Sequence, residues 1–225
     1  EKLITVSGDI SLNAKEKVVY KNVAEPDLWA GENLAYFLNQ RDIMVEGKVS
    51  AGRLPAKAEL LTTFESKSLA SILADMNKFS NNFVAEMLVK GMAALEQKTG
   101  ASLSRGVEII RDELGKIGIA PEEITIVNPS GLTRENSFSA NSLNKVLIAI
   151  KKDFSIYPMF LEGLPIAGID GTLKNRLKDT LSAGWVRAKT GSLDGVVSLA
   201  GYAGRRYGKV LTFSFLYNGP QEESS

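Results

Sequence analysis

Two short motifs hold the residues of this chain that are best suited to proton transfer. Residues 189–191 read Lys-Thr-Gly, and residues 80–82 read Ser-Asn-Asn, a Ser-x-Asn pattern. A lysine ammonium and a serine hydroxyl can together pass a proton to a leaving group, and an amide side chain can hold a polar substrate. Each motif also has an ordinary structural explanation, because lysines are common on edge strands and Ser or Asn often caps a helix. Their surroundings must therefore decide between these interpretations.

Lys-Thr-Gly occurs a second time, at residues 98–100. This copy follows a long segment whose apolar residues recur at three- and four-residue spacing, which is typical of a helix. Gly100 stands where a helix end favours positive φ, and Lys98 stands where a cation stabilises the helix dipole. The first copy is therefore predicted to end a helix and to have no chemical role.

The composition excludes several kinds of catalytic centre. The chain has 225 residues and contains neither histidine nor cysteine. A Ser-His-Asp triad, a Cys-His dyad and a disulfide within the chain are therefore excluded. Hydrophobic residues make up 44% and charged residues 24%, with a net charge of +1, which is typical of a globular protein and gives no sign of nucleic-acid binding. We expect neither a metal nor a cofactor.

Hydrophobic periodicity predicts the helices around the Ser-x-Asn motif. One helix is expected to begin near Ser68 and to break at residues 80–82, and a second continues to Gly100. The other predicted elements are strands at 3–6 and 17–20, a strand followed by a turn at 43–52, and helices at 26–42, 139–150 and 172–181. No apolar run approaches the roughly 18 residues that a membrane-spanning helix needs.

Residues 186–217 alternate between two faces and are punctuated by turn-like segments, which predicts three antiparallel strands in a meander. Lys189 lies on the first of these strands. Alternation puts Lys189 and Gly191 on one side of it and Thr190 on the other. All three can serve one cleft only if this is an edge strand, and Gly191 would let a ligand backbone come close.

Four longer stretches resemble a known family. They read MNKFSNNFVAEML (76–88), NPSGLTRENSFS (128–139), LPIAGIDGTLKNRL (164–177) and VRAKTGSLDGVVSLAGYAG (186–204). In this order they resemble the D-alanyl-D-alanine carboxypeptidases of the low-molecular-mass class C penicillin-binding proteins, over most of residues 60–217. Ser-x-Asn and Lys-Thr-Gly are two of the three motifs shared by serine β-lactamases and penicillin-binding proteins. Asn128 replaces the more usual Asp and is interpreted as a turn residue.

The resemblance implies an α+β fold with a serine β-lactamase/transpeptidase-like antiparallel sheet flanked by helices. Residues 1–59 would be the end of one or more inserted accessory domains. Residues 60–225 would be the C-terminal part of the penicillin-binding catalytic domain.

The resemblance also implies six site residues. Three would be catalytic and three would bind substrate: Ser80, Asn82 and Lys189, and Thr190, Gly191 and Ser192. Ser80 would relay a proton toward the leaving nitrogen with the help of Lys189, while Asn82 would hold the substrate's amide. The Thr190 and Ser192 hydroxyls would bind a terminal carboxylate, and the Ser192 N–H would be one oxyanion donor.

The third family motif, Ser-x-x-Lys, carries the nucleophile and would precede Ser-x-Asn. The match in this chain, Ser142-Leu143-Asn144-Lys145, comes too late and lies in a segment that reads as an ordinary capped helix. The nucleophile and its lysine are therefore expected in a complementing N-terminal segment outside this chain. The opening residues show neither an initiator Met nor a signal-peptide pattern, so we expect a processed or partial product.

The implied activity is that of a serine-type D-Ala-D-Ala carboxypeptidase or endopeptidase, which acts on peptidoglycan stem peptides through an acyl-enzyme. β-Lactams would be covalent inhibitors, nucleic acid would not be a partner, and the location would be the periplasm or another extracytoplasmic site. Two alternatives stay open: a β-lactamase-like hydrolase on the same scaffold, and a non-catalytic muropeptide-binding module. Labelling with a fluorescent penicillin separates the module from the two enzymes, and the deacylation rate separates the enzymes from each other.

Overall fold

The structure is a computed structural model that describes residues 5, 7–14, 16, 23–96, 100–205 and 208–219. The chain divides into two compact units, Glu1–Phe64 and Glu65–Ser225. The predicted strand at 17–20, most of the one at 3–6, and Lys98 lie outside the described residues.

The first unit contains one described helix, α1 (Pro26–Asn39), which begins with a proline at a first-turn position as predicted. Its apolar residues are not buried, and Trp29 and Phe37 are both more than half exposed. The strand predicted at 43–52 is wrong, because this segment has no regular structure. A strand needs a neighbouring strand with which to exchange backbone hydrogen bonds, and no strand occurs in the described part of this unit.

The second unit contains the remaining helices and strands. The helices are α2 (Leu69–Phe79), α3 (Asn82–Glu96), α4 (Leu103–Lys116), α5 (Ala140–Lys152) and α6 (Tyr157–Gly163). The strands are β1 (Ile124–Thr125), β2 (Ser137–Phe138), β3 (Val186–Leu193), β4 (Val196–Ala203) and β5 (Leu211–Asn218). Among the described residues, no helix combines the length and the apolar character that crossing a bilayer requires.

Helices α3 and α4 pack against each other and against the β1–β2 hairpin. Their shared core consists of five buried aliphatic residues: Val89, Val107, Ile119, Ile124 and Ile126. Gly106 makes the close helix contact possible, because a Cβ there would lie 2.2 Å from the Val89 carbonyl oxygen. This packing fixes the position of α3, whose first residue is the Asn82 of the Ser-x-Asn motif.

Strands β3, β4 and β5 form an antiparallel sheet in that order, which confirms the predicted meander. Helices α5 and α6 lie against it, and the buried Tyr202 of β4 donates a hydrogen bond of 2.8 Å to the Leu147 carbonyl. Two aromatic residues of α6, Tyr157 and Phe160, meet the Tyr202 ring edge-on. This arrangement is the helix-flanked antiparallel sheet that the family resemblance implies.

The helix predicted at 172–181 is wrong. Only a short 3₁₀ turn at Gly171–Leu173 forms, and turns follow it. The Gly168 N–H donates hydrogen bonds to the carbonyl oxygens of Leu173 and Arg176, and Leu177 has a φ of 57°. The segment therefore folds back on itself, because its carbonyls are used by a residue that precedes them rather than by the next helical turn.

Candidate active site

The Ser-x-Asn motif lies at the junction of α2 and α3, and each of its residues has a different position. Ser80 ends α2 in the left-handed conformation, with φ 54° and ψ 49°. The Asn81 side chain caps α3, because its Oδ1 accepts a hydrogen bond of 3.1 Å from the Val84 N–H. Asn82 begins α3. The capping function predicted for this motif therefore belongs to Asn81 and leaves the Ser80 hydroxyl available.

Lys189 of β3 reaches the Ser80 hydroxyl. Its Nζ donates hydrogen bonds of 2.8 Å to Ser80 Oγ and of 2.8 Å to the Thr190 carbonyl oxygen. The first contact joins residues 109 positions apart in the chain. Burial lowers the pKa of Lys189 from the ordinary lysine value of 10.5, because an ammonium loses hydration when it is taken from water. The two motifs thus meet at one point.

The outer edge of β3 is covered along its first half and open along its second. The Ala167 N–H donates to the Val186 carbonyl and the Ala188 N–H donates to the Pro165 carbonyl, at 2.9 and 3.0 Å. Backbone groups of alternate residues face the same edge, so those of Thr190 and Ser192 also face outward. No described segment pairs with β3 there, which leaves an edge that an extended peptide could extend by one strand.

The side chains along this open half provide hydroxyl groups. Thr190 Oγ1 donates a hydrogen bond of 2.9 Å to Thr172 Oγ1, in the 3₁₀ turn. Ser192 is exposed on the same strand. Asn82 is half-buried, and its side-chain amide makes no hydrogen bond within the described part of the chain. Direct contacts thus join Lys189 to Ser80 and to Thr190. The positions of Asn82 and Ser192 follow only from the helix and the strand on which they lie.

The space beside Gly191 is not the open approach for a ligand backbone that was expected from the sequence. A Cβ at this position would lie 2.3 Å from Ser198 Oγ of the paired strand β4. The space that the glycine leaves is therefore filled by a protein side chain rather than kept for a ligand backbone. A side chain at position 191 would therefore have to displace the Ser198 hydroxyl.

One feature of the site does not follow from the motifs. Glu86, one turn after Asn82 on α3, accepts hydrogen bonds of 2.9 Å from Asn128 Nδ2 and from Ser130 Oγ. These hydrogen bonds hold the pKa of Glu86 below its ordinary value. Asn128 is a turn residue as predicted, since its Oδ1 accepts from the Ser130 N–H at 2.8 Å. The spacing of Glu86 from Asn82, four residues along one helix, was the available signal.

The Ser-x-x-Lys match at Ser142 and Lys145 is a structural cluster. The Ser142 side chain is only 1% exposed, and its backbone N–H donates to the capping hydroxyl of Ser139 at 2.9 Å. Lys145 binds the Glu123 carboxylate, with both oxygens at 3.1 Å. A buried serine at a helix start whose lysine is held by a carboxylate is poorly placed to attack a substrate, which agrees with the prediction that it is not the nucleophile.

The comparisons with known proteins agree with this arrangement. The model of the D-Ala-D-Ala carboxypeptidase 3 (S13) family matches residues 1–225. A D-alanyl-D-alanine carboxypeptidase from Actinomadura sp. (strain R39) is 32% identical over 225 residues, covering 96% of this chain and 41% of the relative. The chain therefore spans about two fifths of the length of this curated relative.

The solved structures include penicillin binding protein 4 (dacB) from Haemophilus influenzae. It superposes with a TM-score of 0.78 at 32% sequence identity, covering 90% of this chain and 46% of that chain. A second structure of the same protein, complexed with a novel β-lactam, gives a TM-score of 0.77. The antiparallel sheet with flanking helices is accordingly a penicillin-binding-protein fold, and the chain belongs to the D-Ala-D-Ala carboxypeptidase 3 (S13) family.

Proposed function

We propose that the protein to which this chain belongs is a serine-type D-Ala-D-Ala carboxypeptidase or endopeptidase that acts on peptidoglycan stem peptides. This chain would contribute the proton relay and one wall of the substrate groove. The observation that carries the proposal is the 2.8 Å hydrogen bond from Lys189 to Ser80. It joins the two family motifs, which lie on separate elements, at the hydrogen-bond distance that a proton relay requires.

The reaction would be acyl transfer. A serine oxygen attacks the carbonyl carbon between two D-alanines, the C–N bond breaks, and the leaving nitrogen takes a proton from the Ser80 hydroxyl. Lys189 replaces that proton, and its lowered pKa makes the transfer easier than from an ordinary lysine. Water then hydrolyses the acyl-enzyme and regenerates the serine.

The second half of β3 would hold the peptide. An extended substrate would add to the open edge, where the Thr190 and Ser192 backbone groups face outward. The hydroxyls of these two residues would bind the terminal carboxylate, and Lys189 adds positive potential nearby. The Ser192 N–H would donate to the oxyanion, and removal of one such donor typically costs about 3 kcal/mol of transition-state stabilisation.

The remaining parts of the active site would come from elsewhere in the protein. The nucleophilic serine and its lysine would lie in an N-terminal segment that carries Ser-x-x-Lys, and residues 1–59 would be the end of an inserted accessory domain. β-Lactams would acylate the same serine, in line with the β-lactam complex of the similar Haemophilus influenzae protein. A wall-peptide substrate also implies an extracytoplasmic, periplasmic location.

The test is acylation and turnover by the whole protein. We expect a fluorescent penicillin to label it covalently and a D-alanyl-D-alanine peptide to release D-alanine. Ser80→Ala should slow both reactions on the order of 100-fold or more, whereas Ser104→Ala, on the exposed side of α4, should slow neither. Absence of covalent labelling would favour the non-catalytic muropeptide-binding module, and fast release of the penicilloyl group would favour a β-lactamase.

A further inference from the structure

The segment 165–173 contacts both halves of the proposed relay. Its first residues pair with the beginning of β3, through the Pro165 and Ala167 backbone. Its 3₁₀ turn reaches farther along the strand, where Thr172 accepts from the Thr190 hydroxyl at 2.9 Å. This segment therefore extends along the strand on which Lys189 lies.

The same segment binds the end of the helix that carries Ser80. Lys78, two residues before Ser80, forms an ion pair with Asp170 at 2.5 Å. The two side chains are 21% and 34% exposed, so water screens them less than it screens an open surface pair. The other Asp170 oxygen, Oδ1, accepts from the Ile166 N–H at 2.8 Å. Asp170 thus connects the helix end to the part of the segment that pairs with β3.

A backbone contact holds the same two elements together. Gly171 has a φ of 55°, and a Cβ on it would lie 2.8 Å from the Lys78 carbonyl oxygen and 3.1 Å from Pro165 Cβ. The chain can approach the helix this closely only with a glycine next to the aspartate. Lys78 is therefore held by its side chain through Asp170 and by its backbone against Gly171.

We propose that Asp170 is a positioning residue for the proton relay, which rests on the function proposed above. It holds Lys78, and through Lys78 the left-handed turn at Ser80, at the distance from β3 at which Lys189 can donate to the Ser80 hydroxyl. Asp170 touches neither Ser80 nor Lys189, so its effect is geometric. A displacement of about 1 Å in such a relay can lower a rate on the order of 100-fold.

The first test measures penicillin acylation of the whole protein with Asp170→Asn. We expect the acylation rate constant to fall between about 10-fold and 100-fold with little change in the preceding binding constant. Lys78→Met should give a similar loss. Combining Asp170→Asn with Ser80→Ala should add little to the loss from Ser80→Ala, because Asp170 acts through Ser80.

Asp75→Asn is the matched control. Asp75 lies on the same helix and forms an ion pair of 3.1 Å with Lys67, but both side chains are at least half exposed. Its loss should leave the acylation rate unchanged. A full additional loss from Asp170→Asn in the Ser80→Ala background, or an equal loss from Asp75→Asn, would overturn the positioning proposal.

A second measurement does not depend on activity. The Asn81 N–H donates to the Met76 carbonyl at 3.0 Å, so its hydrogen exchange reports on the turn at Ser80. Asp170→Asn should speed exchange there on the order of tenfold, and Asp75→Asn should not. Unchanged exchange at Asn81 contradicts the positioning role. An unlabelled wild-type protein whose Asn81 exchange still responds to Asp170→Asn contradicts only the proposed function.

Discussion

Lys189 is the residue on which the proposed chemistry most depends. Its ammonium group lies 2.8 Å from the Ser80 hydroxyl and 2.8 Å from the Thr190 carbonyl, and burial lowers its pKa. The lowered pKa makes this lysine a stronger acid than one in water, which suits a group that passes a proton to a hydroxyl. It also means that the folded protein holds the charged form of Lys189 at a cost. These two consequences can be measured separately.

Lys189→Ala should lower the penicillin acylation rate constant of the whole protein about 100-fold to 1,000-fold, because one member of the relay is removed. Lys98→Ala changes the lysine of the other Lys-Thr-Gly tripeptide and should leave the rate unchanged. Time-resolved labelling with a fluorescent penicillin measures both rates. Equal losses in the two variants would show that the tripeptide on β3 has no special role.

The lowered pKa of Lys189 also predicts a pH dependence of stability. Between that lowered value and the ordinary lysine value of 10.5, the unfolded chain binds more protons at this side chain than the folded protein does. The free energy of unfolding should therefore rise with pH across this window. Lys189→Met should remove the rise, since the variant has no proton to lose there.

Urea unfolding of both proteins at several pH values gives the comparison. The difference between the wild type and Lys189→Met isolates this lysine from the other groups that titrate in the same range. A difference that falls with rising pH would mean that the charged form of Lys189 is favoured in the folded protein.

At the scale of elements, the site consists of one helix junction facing one strand edge. The junction forms because Ser80 adopts the left-handed conformation, which ends α2 and lets α3 begin in a new direction. The second half of the β3 edge is open because the segment 165–167 pairs with β3 only as far as Ala188. Asn81, the middle residue of the Ser-x-Asn motif, thus caps α3. This cap fixes the positions of Ser80 and Asn82 on either side of it.

Asn81→Ala should lower the free energy of unfolding by about 1 kcal/mol, because α3 loses its N-cap hydrogen bond. Asn81→Asp should retain most of the stability, since a carboxylate can accept the same Val84 N–H and interacts favourably with the helix dipole. Urea unfolding measures both variants. If Asn81→Ala is as stable as the wild type, the cap is not what orients α3.

At the scale of the whole molecule, the two edges of the β3–β4–β5 sheet differ. The outer edge of β5 pairs with no strand among the described residues. Leu211 and Phe215 of this strand are 49% and 65% exposed. A strand of this kind is a surface on which further chain can pack. The chain also spans about two fifths of the length of its Actinomadura relative, and the function proposed above takes its nucleophile from a segment outside this chain.

This chain by itself should therefore form no acyl-enzyme with penicillin. An added N-terminal segment that carries Ser-x-x-Lys should restore labelling on the serine of that segment. Peptide mapping of the labelled product identifies the acylated residue, and circular dichroism checks that the isolated chain retains its helices. Penicillin attached to Ser142 would contradict the assignment of the nucleophile.

The sequence by itself determined the elements whose patterns are local. Apolar spacing placed α2 and α3, and alternation with turn residues placed β3, β4 and β5, because helix and strand periods depend on neighbours in the chain. The same reasoning failed at 43–52 and at 172–181. A strand at 43–52 would need a partner strand from elsewhere in the chain. At 172–181 the chain folds back on itself, which hydrophobic periodicity does not indicate.

Only the tertiary structure decided which residues meet. The contact between Lys189 and Ser80 joins residues on separate elements, and the ion pair of Lys78 with Asp170 spans a similar gap. The motifs named Ser80 and Lys189, but no pattern indicated Asp170. The placing of the Ser198 side chain beside Gly191 is likewise a result of strand pairing. Such contacts depend on how elements pack, and packing is set by shape and by distance in space rather than by position along the chain.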